Sequence, residues 1–155
     1  MAPLETLKQF LALHVGEHYL QDRYVLAVSG GLDSVALLEL ATRLLPTSQI
    51  VVAHYQHGLR ALASEGDALF VEAAATRLGV DFVMGRRESG GTDEASLRAL
   101  RHRFLEKVRE QSQAHWILTA HHLDDLFETV MMRIVRGTGL DGLQGIPPVR
   151  GAWLR

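Results

Sequence analysis

The apolar run Tyr24-Val25-Leu26-Ala27-Val28 leads directly into Ser29-Gly30-Gly31-Leu32-Asp33-Ser34 and then into Val35-Ala36-Leu37-Leu38-Glu39-Leu40. The first run is β-branched and aromatic, which suits a buried strand; the last has helical spacing and good helix formers. Between them, two glycines let the backbone turn sharply and bring its N–H groups close to a ligand. Two serine hydroxyls and the positive end of the following helix add donors for an anion. Strand, glycine turn and helix in this order read as a phosphate cradle. The plainer alternative is a strand-to-helix turn in which Asp33 only complements the helix dipole. A Walker-type loop is excluded, because it closes on Lys followed by Ser or Thr and no Lys stands here.

Strand and helix signals alternate through the rest of the chain. Pro3 suits a first helical position, and Leu4, Leu7, Phe10, Leu11 and Val15 mark one face of an opening helix. The helix that begins at Asp33 is predicted to stop near Leu45, because Pro46 cannot continue it. Ile50 to Tyr55 reads as a second buried strand, running into Gln56-His57-Gly58-Leu59-Arg60. Ser64 with Asp67 marks a helix start, and that helix runs to Leu78 and closes on Gly79. Val80 to Met84 is a third strand, and residues 85–92, with Arg86 and Arg87, a loop. Asp93 caps a helix from Glu94 towards Glu110, on which Arg98 and Arg101 are neighbours; by themselves they read as a solvated basic stripe. His115 to Ala120 is a fourth strand. A helix reaching Arg136 and a glycine-rich loop, residues 137–148, follow.

This alternation predicts an α/β fold, a doubly wound parallel sheet of Rossmann-like type in a single domain over residues 1–155. Right-handed crossovers place the ends of the first, second and fourth strands along one sheet edge, where ligands of such sheets bind. The glycine cradle, the His57 segment and the His121–Thr129 segment then share a crevice.

Composition narrows the function classes. The formal net charge is -2, so RNA contact has to come from a local patch rather than from general basicity. There is no cysteine, which excludes disulfides, thiolate metal sites and chemistry through a protein persulfide within these residues. Glu5, Lys8 and Glu17 interrupt the first stretch, and no run reaches the length of a membrane span, so no membrane partner and a cytoplasmic location are expected. His14 and His18 are four apart, but with no third ligand near them they read as surface histidines.

On a helix, His121, Asp125 and Glu128 share one face, and His122, Asp125, Thr129 and Arg133 an adjacent one. Asp124, Asp125 and Glu128 could serve only as favourable charges at a helix N-terminus, each worth about 0.3–1 kcal/mol. A transition-metal site is the second reading, although no zinc spacing is present. Mg²⁺ shared between carboxylate and phosphates is the better metal reading, since it takes hard oxygen ligands.

The Ser29–Ser34 stretch resembles the SGGxDS loop of the PP-loop ATP pyrophosphatases, which cleave ATP between its α and β phosphates. His121-His122-Leu123-Asp124-Asp125 through Glu128-Thr129, with Arg136-Gly137-Thr138-Gly139-Leu140-Asp141-Gly142-Leu143, resembles the signature of the tRNA(Ile)-lysidine synthases. His57-Gly58-Leu59-Arg60 matches the HGLR segment of that family. Glu94-Ala95 with Arg98 and Arg101 matches its EAxxRxxR helix, although His102 stands where the family usually has Tyr.

The resemblance implies ATP-dependent joining of L-lysine to C2 of the wobble cytidine of tRNA(Ile) bearing a CAU anticodon. Cytosine O2 is adenylated with loss of pyrophosphate, and the lysine amine then displaces AMP. It implies ATP contacts from Ala27, Ser29, Gly30, Gly31, Leu32, Asp33, Ser34, His54 and His57, with Mg²⁺ at Asp33 and Asp125. Catalytic roles fall on Asp33, Asp125, Arg98, Arg101 and His121; a homodimer is a candidate assembly. Family members are longer, so the resemblance predicts that residues 1–155 are an N-terminal catalytic domain, incomplete at its C-terminal end and without the tRNA-gripping domains. Weak ATP binding and little tRNA modification are expected of them alone. Two alternatives are another PP-loop adenylating ligase or amidotransferase, and a nucleotide-binding module without catalysis.

Overall fold

The computed structural model describes residues 2–58, 61–88, 91–120 and 147–155. Four strands run parallel in the order of the predicted elements: β1 (Tyr24–Ala27), β2 (Ile50–Gln56), β3 (Asp81–Arg86) and β4 (Trp116–Thr119). Two short strands, β5 (Val149–Arg150) and β6 (Trp153–Leu154), complete a six-stranded sheet of order β3-β2-β1-β4-β6-β5, in which only β5 is antiparallel. The register aligns Ala27 with both Ala53 and Thr119, so β1 and β4 end level while β2 runs on past them to Gln56.

Successive strand residues point to opposite faces, and each face has its own helices. Tyr24, Leu26, Val28, Ile50, Val52, Leu118 and Leu154 pack with α1 (Pro3–His14), α2 (Leu32–Leu44) and α3 (Ala61–Leu78). Val25, Ala27, Val51, Ala53, Ile117 and Trp153 pack with Leu105 and Val108 of α4 (Glu94–Gln111). Burial on both faces explains why the strands read as unbroken apolar runs. Tyr24, Leu26 and Ile50 are fully buried, and each large apolar side chain so placed contributes roughly 1.5–3 kcal/mol.

The chain leaves β1 towards β2 on one side and returns from β3 to β4 on the other. The strand order therefore reverses between β1 and β4, and a crevice opens there beyond their C-terminal ends. This is the feature of the fold that positions the site.

Three element boundaries differ from the sequence expectation. The third helix starts at Ala61 rather than at Ser64, so the Ser64–Asp67 spacing is not its cap. The third strand starts at Asp81 and continues through Arg86, because β2 offers ladder partners as far as Gln56. What was expected to be loop at Gly85 and Arg86 is thus sheet. Gly85 is there because a Cβ would lie 2.5 Å from the Phe104 ring and 2.9 Å from Tyr55. The other expected limits that fall on described residues agree with the structure within a residue or two; the expected helix reaching Arg136 and the loop that follows it, as far as residue 146, lie outside the described residues. Pro3 opens α1, Leu45 caps α2, Gly79 follows α3 at φ +69°, and the Asp93 carboxylate accepts the Ser96 N–H at 3.0 Å. Among the described residues, no helix is long and apolar enough to cross a membrane.

Candidate active site

The turn between β1 and α2 is braced by its own side chains. Gly30 takes φ +95°, a conformation that side chains disfavour, and a Cβ there would sit 3.2 Å from Cβ of Asp67 on α3. Gly31 is the N-cap residue of α2 and offers no side chain to cap it. Ser34 is buried and acts as the node of the turn. Its Oγ donates to the Gly31 carbonyl at 2.9 Å and accepts the Ser29 N–H at 3.2 Å. It also lies 3.1 Å from Ser29 Oγ. Since the Ser34 proton is directed at Gly31, Ser29 is the donor in that pair. Both hydroxyls are engaged within the turn, and the first-turn backbone N–H groups of α2, which have no partner within the helix, are open to an anion. Leu32 and Asp33, which carry two of them, are exposed, Leu32 to 85%.

His54 on β2 secures the cradle from below. Its Nδ1 donates to the Val28 carbonyl at 2.8 Å, while the Val28 N–H donates to the Ala53 carbonyl at 3.0 Å. A carbonyl can only accept, so Nδ1 carries the proton. His54 and Ala27 are both buried.

A cationic group lies on the other face of the sheet edge. Half-buried His57 packs edge-on to Tyr55 at 5.1 Å, and Tyr55 leans on Phe104 of α4 at 5.3 Å. The Arg87 Nε donates to the His57 carbonyl at 3.0 Å, and the Arg87 N–H to the Gln56 carbonyl at 3.1 Å. Burial, and then the charges of Arg101, Arg87 and His54, lower the His57 pKa below its ordinary 6.5, so the ring is neutral at physiological pH. His57 Nδ1 is buried and has no hydrogen-bond partner among the described residues. Arg101 is half-buried, and burial followed by the charge of Arg98 weakens its hold on its proton. The expected solvated stripe is therefore only half right: Arg98 is exposed, but Arg101 turns inward towards His57.

The structure thus brings Ser29, Gly30, Gly31, Leu32, Asp33 and Ser34 together with the His54 prop on one side of the edge. His57, Arg98 and Arg101 gather on the other. The expected site residues His121 and Asp125, and Arg60 of the His57 segment, lie outside the described residues. Two neighbours of the site were not expected from sequence. Asp67 backs Gly30 from α3, whereas its sequence spacing from Ser64 marks only a helix start. Arg87 is carried to His57 because β3 is longer than its apolar run. Among the described residues no group of three His, Cys, Asp or Glu could hold a metal. His18 Nε2 lies 3.7 Å from Asp22 Oδ2.

Residues 4–153 match a protein family described as PP-loop domain. The tRNA(Ile)-lysidine synthase of Geobacter sulfurreducens is 39% identical over 157 residues, covering 96% of this chain and 33% of that protein. The protein of the same name from Clostridium acetobutylicum is 38% identical, covering 85% of this chain and 31% of its own length. That from Methylobacterium nodulans is 45% identical over 130 residues, covering 81% and 38%. The chain therefore spans about a third of the length of these curated relatives. Among solved structures, the U34-tRNA thiolase NcsA of Methanococcus maripaludis superposes with a TM-score of 0.71 at 18% identity, over 89% of this chain and 52% of that one. An NH3-dependent NAD synthetase from Campylobacter jejuni superposes with a TM-score of 0.59 at 19% identity, over 79% and 57%. At those identities the likeness is one of fold.

Proposed function

This chain belongs to the PP-loop domain family, and we propose that it forms the ATP-binding catalytic part of a cytoplasmic tRNA(Ile)-lysidine synthase. In this reading ATP adenylates O2 of the wobble cytidine of tRNA(Ile) with a CAU anticodon and pyrophosphate leaves. The L-lysine amine then attacks C2, AMP departs and lysidine is formed. The observation that carries the reading is the uncapped start of α2 held open at the switch point by Ser34, Ser29 and His54. A backbone cradle without a lysine suits a pyrophosphate leaving group.

Asp33, exposed in the first turn of α2, is suited to a Mg²⁺ carried with the phosphates. That ion keeps several waters and takes one or two carboxylates beside phosphate oxygens, so one side chain on the loop is enough to fit it. Bound there, Mg²⁺ would neutralise phosphate charge. In this reading Arg101 and Arg98, on α4, stabilise negative charge on the leaving groups. Attack by lysine needs a neutral amine, whereas the free side chain has a pKa near ~10.4. We assign proton acceptance to Asp125 with Asp33, and a hydrogen bond to the nucleotide to His121; both assignments rest on motif resemblance.

Isothermal titration of this chain with ATP and Mg²⁺ tests the cradle. Saturable binding that Ser34→Ala weakens is expected, and no binding to the wild-type chain would overturn the reading. The acceptor is tested in the intact protein that carries this sequence. Pyrophosphate release should require both tRNA(Ile) and lysine; release supported by ammonia in place of lysine would instead identify an amidotransferase of the same family.

A further inference from the structure

Beside the site residues, α4 and β6 build a layered structure in which only Arg98 has a role assigned above. The imidazole of His102 lies flat on the indole of Trp153, with ring centroids 4.3 Å apart and planes 13° from parallel. Trp153 is buried and fixed, its Nε1–H donating to Glu106 Oε1 at 2.5 Å, while Glu106 also accepts from Arg109 Nε at 2.9 Å. His102 is exposed, so one face of its ring is covered by the indole and the other is open. Cations bracket this stack. The Arg155 guanidinium carbon lies 5.9 Å from the Trp153 ring centroid, and its backbone N–H is tied to the Pro148 carbonyl at 2.9 Å. Arg98 stands one helical turn before His102 on α4.

The charges in this group are unbalanced. Arg98, Arg101 and Arg155 form no ion pair among the described residues, and Arg155 Nε is buried without an acceptor. Burial, and then the charges of Arg98 and Arg150, act against the charged form of Arg155. The Glu106 carboxylate at this stack is already engaged by Trp153 and Arg109, so gathered guanidiniums that it does not pair cost stability unless an anion joins them. In a chain of net charge -2 such a patch is a local exception. A flat ring open on one side, held rigid from behind and flanked by arginines, has the two features single-stranded nucleic acid needs: a stacking surface and phosphate partners.

We propose that the His102–Trp153 stack, with Arg98 and Arg155 beside it, is a platform on which an unpaired nucleobase of the RNA substrate stacks while its phosphates meet the two arginines. The proposal rests on the tRNA-modifying reading above and extends it to where the substrate lies: across α4 towards β6, next to Arg101 and His57. Stacking on an aromatic side chain is sequence-tolerant, so the platform holds a neighbour of the reacting base rather than selecting it.

The test is fluorescence anisotropy of a labelled tRNA(Ile) anticodon stem-loop titrated with this chain, alongside calorimetric titration with ATP. His102→Ala should weaken RNA binding by about ten-fold, in line with the ~1–3 kcal/mol of one base–aromatic stack. His102→Tyr should restore it, because a second flat ring replaces the first; a residue that merely supported Trp153 would show the loss in thermal stability as well. Arg155→Ala should weaken binding and reduce the salt slope by about 0.7, the increment of one single-strand phosphate contact. ATP affinity should stay within two-fold in all three. Wild-type RNA affinity in both His102→Ala and Arg155→Ala, or no RNA binding by the wild-type chain, would overturn the proposal. Loss of ATP binding in the wild-type chain would instead count against the catalytic reading. Equal affinity for an unrelated hairpin, with the His102 effect preserved, would support the platform while removing tRNA(Ile) specificity from this part of the protein.

Discussion

His54 Nδ1 lies 2.8 Å from the carbonyl oxygen of Val28, which joins the second strand to the residue immediately before the phosphate turn. Both groups are buried, so the bond forms out of reach of water. This assigns the His54 side chain to holding the cradle in place, and leaves only backbone around it to face a nucleoside. His54→Leu keeps the volume and removes the donor, leaving the Val28 carbonyl buried and unpaired at a cost of about 1–3 kcal/mol. Thermal denaturation should show the loss, and ATP affinity should fall with it. An unchanged melting temperature would show that the bond does not hold the turn.

Ser34 is the residue on which the turn converges. Ser34→Ala removes the acceptor of the Ser29 N–H and the donor to the Gly31 carbonyl together. ATP affinity is expected to fall by about ten-fold or more, equivalent to ~1.4 kcal/mol, because the first-turn N–H groups of α2 lose their fixed direction. Ser29→Ala removes only the Ser29–Ser34 hydroxyl bond and the long contact to the Gly31 N–H at 3.4 Å, so its effect should be smaller. Calorimetric titration of the two variants side by side checks the order; the reverse order would mean that the Ser29 hydroxyl reaches the phosphates directly.

Gly85 lies where β3, Tyr55 and Phe104 meet. Gly85→Ala forces a Cβ to within 2.5 Å of the Phe104 ring, so the ring or the strand has to move. Overpacking of this kind costs about 1–3 kcal/mol, which for a chain of this size lowers the melting temperature by roughly 2–4 °C per kcal/mol. Adding Phe104→Leu to Gly85→Ala should recover part of the loss. A double variant no more stable than Gly85→Ala alone would place the strain elsewhere.

His57 makes stability depend on pH in a stated direction. Its folded pKa lies below the ordinary 6.5, chiefly through burial and secondarily through Arg101 and Arg87. Between the folded and unfolded values the unfolded chain binds more protons, so stability rises with pH across that window. The contribution is complete above pH ~6.5 and is lost as pH falls through the folded pKa. The gap in melting temperature between wild type and His57→Gln should therefore change in favour of wild type as pH rises from 5 to 7.5. A gap that does not move with pH would mean that His57 titrates as it does in the unfolded chain.

Much of the architecture was legible from periodicity and punctuation. Apolar runs at 24–28, 50–55 and 115–120 became parallel strands because both faces of this sheet are covered. Pro3, Pro46, Gly79 and Asp93 mark helix ends through backbone constraints that act within a few residues. The Ser29–Ser34 turn was equally plain, since its residue types state which backbone conformation and which donors are present. At Gly85–Arg86 the strand extends because β2 offers ladder hydrogen bonds rather than because its own residues ask for it; the earlier start of α3, at Ala61 rather than Ser64, has no such partner to explain it among the described residues.

What local pattern could not express is the meeting of distant groups. The same arginine pair on α4 reads as a surface stripe until β2 and β3 carry His57 and Arg87 to Arg101. That the two serine hydroxyls also bond each other and brace the turn shows only in the folded geometry. Trp153 and His102, 51 positions apart, become a single stack only because β6 docks on β4 against α4. Sequence alone determined the kind of fold and the chemical character of the cradle, because both follow from short-range sterics and polarity. Only tertiary structure decided which side chains brace, which are buried without partners and which stay open to a ligand, because those outcomes depend on burial and long-range contact.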